Sequence, residues 1–278
     1  MSTLILQGPH LTLDLANQIA RHTQTELHPQ GQCYRLYGRQ PFSPQTLARL
    51  RSTYDGVDIN LLPEDYHPEQ VRLLVTDMDS TFINIECINE IAAFVGKEAQ
   101  VSKITAAAMR GEINFETSLI QRVALLKGVP ANVLAEIYEK RLAVNPGGET
   151  LLAALKQRGL KIALVSGGFT YFTERLKQEY NLDYTLANQL EIKNSRLTGT
   201  VVDGIVGAAA KAKFLRMLCE KLGIDSRQTV AVGDGANDLE MLRAAGLSVA
   251  YHAKPKVQAE ARVALNHSAL DGILPFLF

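Results

Sequence analysis

The sequence contains no tryptophan and only three cysteines in 278 residues. Cys33, Cys87 and Cys219 are widely spaced, odd in number and form no CxxC pair. This pattern argues against a disulfide framework and against a zinc site built from clustered cysteines. We therefore expect three buried thiols in a protein of a reducing compartment.

The chain also lacks an excess of charge, because its 29 Lys and Arg residues balance its 29 Asp and Glu residues. A net charge of zero gives the molecule no general attraction to nucleic acid or to an anionic membrane. No apolar run reaches the roughly 18 residues of a membrane span, and no signal peptide is evident. We expect a cytoplasmic protein whose anionic ligands are bound locally by a few placed groups.

Residues 1–68 predict a small α+β module that ends in a linker. Strand-like and helical runs alternate there, at residues 4–6, 13–22, 34–36, 44–54 and 57–61. The segment 62–68 has two prolines, acidic residues and no periodicity, as linkers do. Two interpretations of the module stay open: a small-molecule sensing domain that pairs strands across a homodimer, or a structural cover.

From Val71 onward the pattern changes to that of a Rossmann-like α/β domain. Continuously apolar runs at 73–75, 162–165 and 229–232 are typical of buried parallel strands. Helical patterns separate these runs, which predicts a parallel sheet with right-handed crossovers. We assign the catalytic α/β core to residues 69–84 and 146–278.

A long helical segment interrupts this alternation between the first two strands. We assign residues 85–145 to a helical cap, because apolar residues recur there at helical spacing. The predicted cap helices span residues 86–95, 100–109, 115–126 and 131–143. A further insertion at 191–202 has the alternation and turn residues of a hairpin.

Polar residues follow three of the predicted strands. They occupy the segments Asp77–Thr81, Ser166–Gly168 and Asp234–Asp238. Each segment alone is compatible with a turn or a helix cap, but the carboxyl ends of parallel strands share one edge of a sheet, where ligands bind. Their convergence therefore predicts a functional site.

Phosphoryl transfer is the chemistry that suits these residues. A carboxylate can act as a nucleophile and form an aspartyl phosphate, but its approach to a phosphate costs roughly 6–8 kcal/mol of repulsion. Clustered carboxylates favour Mg²⁺, which would offset that repulsion. None of the histidines lies in these segments, so Asp79 is the candidate for proton transfer to the leaving alcohol and from the attacking water.

These segments resemble the motifs of the haloacid dehalogenase-like phosphatases, and more closely those of the phosphoserine phosphatase family. The resemblance runs from about residue 71 to 275 and rests on Asp77–Thr81, Glu86, Asn114–Glu116, Ser118, Arg122, Val165–Phe169 and Val232–Asp238. It implies a haloacid dehalogenase-like core that hydrolyses O-phospho-L-serine to L-serine and phosphate, the last step of serine biosynthesis.

The resemblance also implies roles for the acidic residues. Asp77 would be the nucleophile and Asp79 the general acid and base. Mg²⁺ would be bound by Asp77, by the main-chain carbonyl of Asp79 and by Asp234, with Asp238 supporting them from behind.

Phosphate and substrate contacts follow from the same resemblance. Ser166, the Gly167 amide and Asn237 would contact the phosphate, together with Lys211. Lys213 is a rival for the lysine role, because it lies only two residues further along the chain.

The predicted cap supplies two groups that suit the rest of the substrate. Glu86 would pair with the ammonium group of phosphoserine, and Arg122 would bind its carboxylate in the geometry that arginine favours. The alternatives are another small phosphomonoester, transfer of the phosphate to an acceptor alcohol, and, from another class, a phospho-aspartate signalling receiver. A receiver needs no helical cap.

Overall fold

The computed structural model describes residues 2–278 and contains, over that range, two β-sheets with helices packed against them. One is a small antiparallel sheet near the N-terminus, and the other is a larger, mostly parallel sheet. This architecture confirms the predicted α/β fold class. Over the same residues, no helix combines the length and hydrophobicity that a membrane span requires.

The small sheet has the strand order β2-β3-β1-β4 and carries two helices. Its elements are β1 (Ser2–Gln7), α1 (Leu13–Thr23), β2 (Glu26–Gln30), β3 (Cys33–Gly38), α2 (Pro44–Thr53) and β4 (Asp58–Leu62). The sequence did not predict β2, because its residues ELHPQ are polar and largely exposed. Pairing with β3 alone holds this strand in the sheet.

Two buried polar side chains fasten the small sheet to the large one. Asn60 exchanges two hydrogen bonds of 2.9 Å with the backbone of Ala264. The carboxylate of Asp58 accepts hydrogen bonds from the backbone N–H groups of residues 266–268. Because buried polar groups are costly unless they are paired, these contacts fix the two sheets relative to each other.

The large sheet has the strand order β11-β10-β9-β5-β6-β7-β8. Its strands are β5 (Leu73–Thr76), β6 (Lys161–Phe169), β7 (Tyr184–Lys193), β8 (Arg196–Val202), β9 (Thr229–Gly233), β10 (Leu247–Tyr251) and β11 (Val263–Leu265). All neighbours are parallel except β7 and β8. The central strands β5 and β9 are buried throughout, as expected for strands covered by helices on both faces.

Helices connect these strands. Between β5 and β6 lie α3 (Cys87–Phe94), α4 (Glu98–Met109), α5 (Phe115–Ala124), α6 (Asn132–Lys140) and α7 (Gly148–Gln157). The later connections contain α8 (Thr170–Glu179), α9 (Ala208–Leu222), α10 (Leu239–Ala244) and α11 (Pro255–Glu260). The start of α5 is fixed by Asn114, whose side chain accepts a 2.8 Å hydrogen bond from the N–H of Thr117.

Two details of the large sheet differ from the sequence prediction. The expected hairpin at 191–202 is part of this sheet, because β7 begins at Tyr184 and pairs with β6 before it turns into β8. Strand β6 does not end at Ser166 but continues to Phe169. Its register against β7 shifts between Val165 and Phe169, so the Ser-Gly-Gly segment bulges at the strand end.

Candidate active site

The first carboxylates of the site lie in a tight turn after β5. The N–H of Asp77 donates to the carbonyl of Val232 at 2.9 Å, which continues the pairing of β5 with β9. Ser80 adopts a left-handed conformation with φ of 57°, a strained state for a residue other than glycine. This turn returns the chain so that Asp79 Oδ1 accepts the N–H of Cys87 at 3.0 Å, at the start of α3.

Asp77, Asp234 and Asp238 form an acidic cluster in which the closest carboxylate oxygens all lie within 4.8 Å of one another. Burial raises the pKa of Asp234 to about 6, with a further contribution from Asp238. Burial and the charge of Asp238 likewise raise the pKa of Asp77 well above its ordinary value. Carboxylate oxygens at this spacing are suitable ligands for a hard cation such as Mg²⁺.

Lys211 lies inside this cluster and is completely buried. Its ammonium is 2.7 Å from Asp77 Oδ1 and 2.7 Å from Asp238 Oδ1. Burial lowers the pKa of Lys211, but the two carboxylates more than offset this, so the pKa is raised. Lys213, the rival in the sequence, is exposed, and only Lys211 of the two is in this cluster.

Asp79 lies beside the acidic cluster in an environment that favours its protonated form. Burial raises the pKa of Asp79 to about 7, and the nearby charge of Glu86 adds to the shift. Its Oδ2 accepts a long hydrogen bond of 3.4 Å from the hydroxyl of Ser166. A carboxyl group with this pKa can both release and take up a proton near neutral pH.

The bulged end of β6 approaches these carboxylates closely. The N–H of Gly168 donates to the hydroxyl of Ser166 at 2.7 Å. A Cβ atom on Gly168 would lie 2.5 Å from Asp79 Oδ2, and one on Gly167 would lie 2.7 Å from the ring of Phe115. Any side chain at position 168 would therefore collide with Asp79, and one at position 167 would have to displace the Phe115 ring.

The residue that precedes α3 and helix α5 contribute the predicted substrate-binding side chains. Glu86 accepts a 2.8 Å hydrogen bond from the hydroxyl of Ser80. Arg122 is partly buried, which lowers its pKa, while the charges of Glu86 and Asp79 oppose that shift. The structure thus brings Glu86 and Arg122 to the same site as Asp79.

Three residues of the site were not assigned a role from the sequence. Thr81 donates to Asp234 Oδ1 at 3.2 Å, and the ammonium of Lys254 lies 3.9 Å from Asp234 Oδ2. The buried hydroxyl of Ser118 has no hydrogen-bond partner within residues 2–278. Thr81 and Ser118 belong to the sequence motifs that resemble the phosphatase family, so the sequence marked both as site residues. Lys254 lies outside those motifs.

Asn237 lies in the loop after β9, one residue before Asp238. It is partly buried, and the amide oxygen of its side chain is close to the backbone of Gly235. In that loop the N–H of Gly235 donates to Asp238 Oδ2 at 2.9 Å, which orients the carboxylate of Asp238 in the cluster.

Comparison with known proteins adds a family and several relatives. Residues 71–246 match the model of a hydrolase family described as haloacid dehalogenase-like hydrolase. A phosphoserine phosphatase from Polaromonas sp. is 50% identical over 224 residues, which are 79% of this chain and 95% of that protein.

Solved structures show the same similarity. A haloacid dehalogenase family hydrolase from Salmonella enterica serovar Typhi has a TM-score of 0.90 and 32% identity, and the match covers 100% of this chain and 98% of that one. A structure described as a phospho-aspartyl intermediate analogue of phosphoserine phosphatase has a TM-score of 0.71 and 41% identity, covering 75% of this chain and 99% of that one.

Proposed function

This chain belongs to the haloacid dehalogenase-like hydrolases, and we propose that it is a Mg²⁺-dependent phosphatase that hydrolyses O-phospho-L-serine to L-serine and phosphate. The resemblance stated from the motifs is confirmed by the family match and by the phosphoserine phosphatase relatives. The observation that carries the proposal is the position of Asp77, which is buried within the acidic cluster and lies 2.7 Å from the ammonium of Lys211. We propose that this reaction is the last step of serine biosynthesis and takes place in the cytoplasm. The three free cysteines among the described residues agree with a reducing compartment.

Asp77 is the nucleophile in this proposal. One of its carboxylate oxygens forms a bond to phosphorus while the bond from phosphorus to the serine oxygen breaks. Asp79 donates its proton to that departing oxygen, which its raised pKa allows. The products of this step are free L-serine and an aspartyl phosphate on Asp77.

Water completes the reaction. The ionised Asp79 takes a proton from a water molecule, whose oxygen attacks the phosphorus and breaks the bond to Asp77. Phosphate is released, and both aspartates return to their initial states. Asp79 lies beside Ser166 and Gly168 at the bulged end of β6, where the phosphate is proposed to bind. From that position the same carboxyl group can serve both steps.

The acidic cluster suits a metal ion by its donor set. Asp77, Asp234 and the main-chain carbonyl of Asp79 would hold Mg²⁺, and Asp238, predicted as a supporting residue, has its carboxylate within the same cluster. When bound, the ion supplies positive charge that offsets the repulsion between Asp77 and the phosphate. Lys211 contributes a second, permanent positive charge at the same carboxylate.

The remaining phosphate contacts come from polar groups at the strand ends. The Ser166 hydroxyl, the Gly167 amide, Asn237 and Lys211 would hold the phosphate oxygens. In this position they stabilise the charge that develops on the transferred group, which is the main source of catalysis in phosphoryl transfer.

Substrate selection falls to residues 85–145, which we propose act as a cap over the core formed by 69–84 and 146–278. Glu86 would pair with the ammonium group of phosphoserine and Arg122 with its carboxylate. The unpaired hydroxyl of Ser118 lies on the same helix as Arg122 and offers a further polar contact. A simple alkyl phosphate would lack these partners and leave buried groups unpaired.

A substrate panel tests the proposal. Phosphate release is measured from phosphoserine, phosphothreonine, sugar phosphates and p-nitrophenyl phosphate, with Mg²⁺ and with EDTA. We expect the highest kcat/KM for phosphoserine, many turnovers per molecule, and loss of activity in EDTA. A preference for another ester would replace the substrate assignment, and a single turnover with retained phosphate would favour a receiver.

A further inference from the structure

Asn188 is an amide side chain buried inside strand β7, where asparagine is an unfavourable residue. Both ends of its amide are used. Nδ2 donates to the carbonyl of Gly167 at 2.7 Å, and Oδ1 accepts the N–H of Val206 at 2.8 Å. Only one orientation of the amide satisfies both contacts, because a carbonyl needs a donor and an N–H needs an acceptor.

The contact with Gly167 controls the orientation of Ser166. The carbonyl of Gly167 and the N–H of Gly168 belong to one planar peptide unit, so fixing the first also fixes the second. That N–H donates to the Ser166 hydroxyl. Because the oxygen of this hydroxyl already accepts a hydrogen bond, its own hydrogen is directed away from Gly168, and the hydroxyl donates to Asp79 Oδ2.

The register shift in β6 makes this side-chain contact necessary. Between Val165 and Phe169 the regular ladder with β7 is interrupted, and the carbonyl of Gly167 is bonded by the side chain of Asn188 instead. A buried carbonyl without a partner would be costly. Asn188 therefore stabilises the bulge in which the Ser166 hydroxyl is presented.

The contact with Val206 links this bulge to the helix that carries Lys211. Val206 immediately precedes Gly207, the residue that caps the start of α9, and the N–H of Lys211 donates to the carbonyl of Gly207 at 3.0 Å. One side chain thus joins the backbone beside Ser166 to the backbone that begins the Lys211 helix.

We propose that Asn188 is a positioning residue for phosphoryl transfer, which holds the Ser166 hydroxyl and the start of the Lys211 helix in the arrangement that receives the phosphate. The inference rests on the proposed phosphatase function. It assigns to Asn188 no contact with the substrate, only the orientation of groups that make such contacts.

The test is a double-mutant cycle between Asn188 and Ser166. Asn188→Asp keeps the size of the side chain but places an acceptor against the Gly167 carbonyl. We expect kcat/KM to fall about 10- to 100-fold, the effect of a lost hydrogen bond that leaves its partner unpaired. Asn194→Asp, an exposed substitution at the β7–β8 turn, is the matched control and should leave kcat/KM unchanged.

The cycle separates positioning from general structural damage. If Asn188 acts through Ser166, Asn188→Asp should cost much less in a Ser166→Ala background than in the wild type. Should the Asp variant fail to fold, Asn188→Ser, which is too short to span both contacts, takes its place. Losses that multiply fully in the double variant would overturn the role of Asn188 toward Ser166. Activity of Asn188→Asp within about twofold of wild type would overturn the inference as a whole.

The outcome is distinguishable from failure of the proposed substrate. If the wild type prefers another phosphomonoester, the same cycle is measured with that ester, because Asn188 would position groups that contact the phosphate and not the alcohol. A wild-type protein that hydrolyses no phosphomonoester would overturn both proposals.

Discussion

The acidic cluster of Asp77, Asp234 and Asp238 should make the metal-free protein lose stability as the pH rises, and Mg²⁺ should restore that stability most strongly at high pH. Burial, with a contribution from Asp238, raises the pKa of Asp234 from 3.8 to about 6. The folded protein therefore holds this proton more tightly than the unfolded chain does. The associated stabilisation is complete below about pH 4 and is lost as the pH rises through about 6.

The magnitude follows from this shift. Between about pH 5 and about pH 8 the contribution of Asp234 to the free energy of unfolding falls by about 1.4 kcal/mol. For a chain of 278 residues the change corresponds to about 2–3 °C in Tm. A bound cation requires the ionised carboxylates, so the gain in Tm from Mg²⁺ should increase over the same pH interval.

The assay is thermal unfolding followed by circular dichroism at several pH values, in EDTA and in MgCl₂. Asp234→Asn is the control, because it removes the titrating group and a predicted metal ligand while it keeps the shape of the side chain. In EDTA, its Tm should fall less than that of the wild type between about pH 5 and about pH 8. The same pH dependence in both proteins, or an equal gain in the wild-type Tm from Mg²⁺ at both pH values, would refute this role of Asp234.

Three further predictions concern the proposed roles of single side chains. Asp77→Asn should abolish turnover and acid-stable labelling of the protein by phosphate, and near-normal activity would contradict the nucleophile assignment. Arg122→Ala should raise KM for phosphoserine by about 10- to 150-fold, the value of one charge-assisted contact, and should spare p-nitrophenyl phosphate; an equal loss on both substrates would count against a carboxylate contact. Lys211→Met should lower the free energy of unfolding, measured in urea, by about 3–5 kcal/mol, because it leaves two buried carboxylates uncompensated. The control Lys213→Met should stay within about 0.5 kcal/mol of wild type. Similar losses in both variants would show that Lys211 does not neutralise the cluster.

Much of the site could be predicted because the signals are local. The runs at β5, β6 and β9 are continuously apolar, as strands buried on both faces must be. The chemistry begins where those runs end. Since parallel strands bring their carboxyl ends to one edge of the sheet, Asp77 and Asp234 were expected to meet although 157 positions separate them. The structure brings their carboxylates into one cluster.

The helical spacing of residues in the sequence also distinguishes Lys211 from Lys213. Lys211, Leu215 and Leu218 recur at the spacing of one helix face, and all three are buried. Lys213 lies on the opposite side and is exposed. A lysine on an apolar stripe needs a buried partner for its charge, which identifies Lys211 as the residue that belongs to a site.

Other features depend on register and could not be read from local pattern. The polar strand β2 has no strand-like residue pattern of its own and is defined by its pairing with β3. The bonds from Asn188 to Gly167 and Val206 require the bulge in β6, which no residue pattern in the sequence defines. The contact of Lys254 with Asp234 likewise joins two loops whose proximity depends on the pairing of β9 with β10.

The charge balance of the cluster explains why stability and activity should depend on the same ion. Three carboxylates share a buried site with one ammonium, Lys211, at bonding distance. The half-exposed Lys254, 3.9 Å from Asp234, offsets part of the negative charge. Because the interaction between charges is strong where water is excluded, protonation of a carboxylate or binding of a cation relieves the rest. Protonation of Asp77 would remove the nucleophile, whereas a divalent cation keeps Asp77 ionised and offsets its repulsion of a phosphate. The arrangement that destabilises the metal-free fold at high pH is therefore the arrangement that would make Asp77 reactive once the ion is bound.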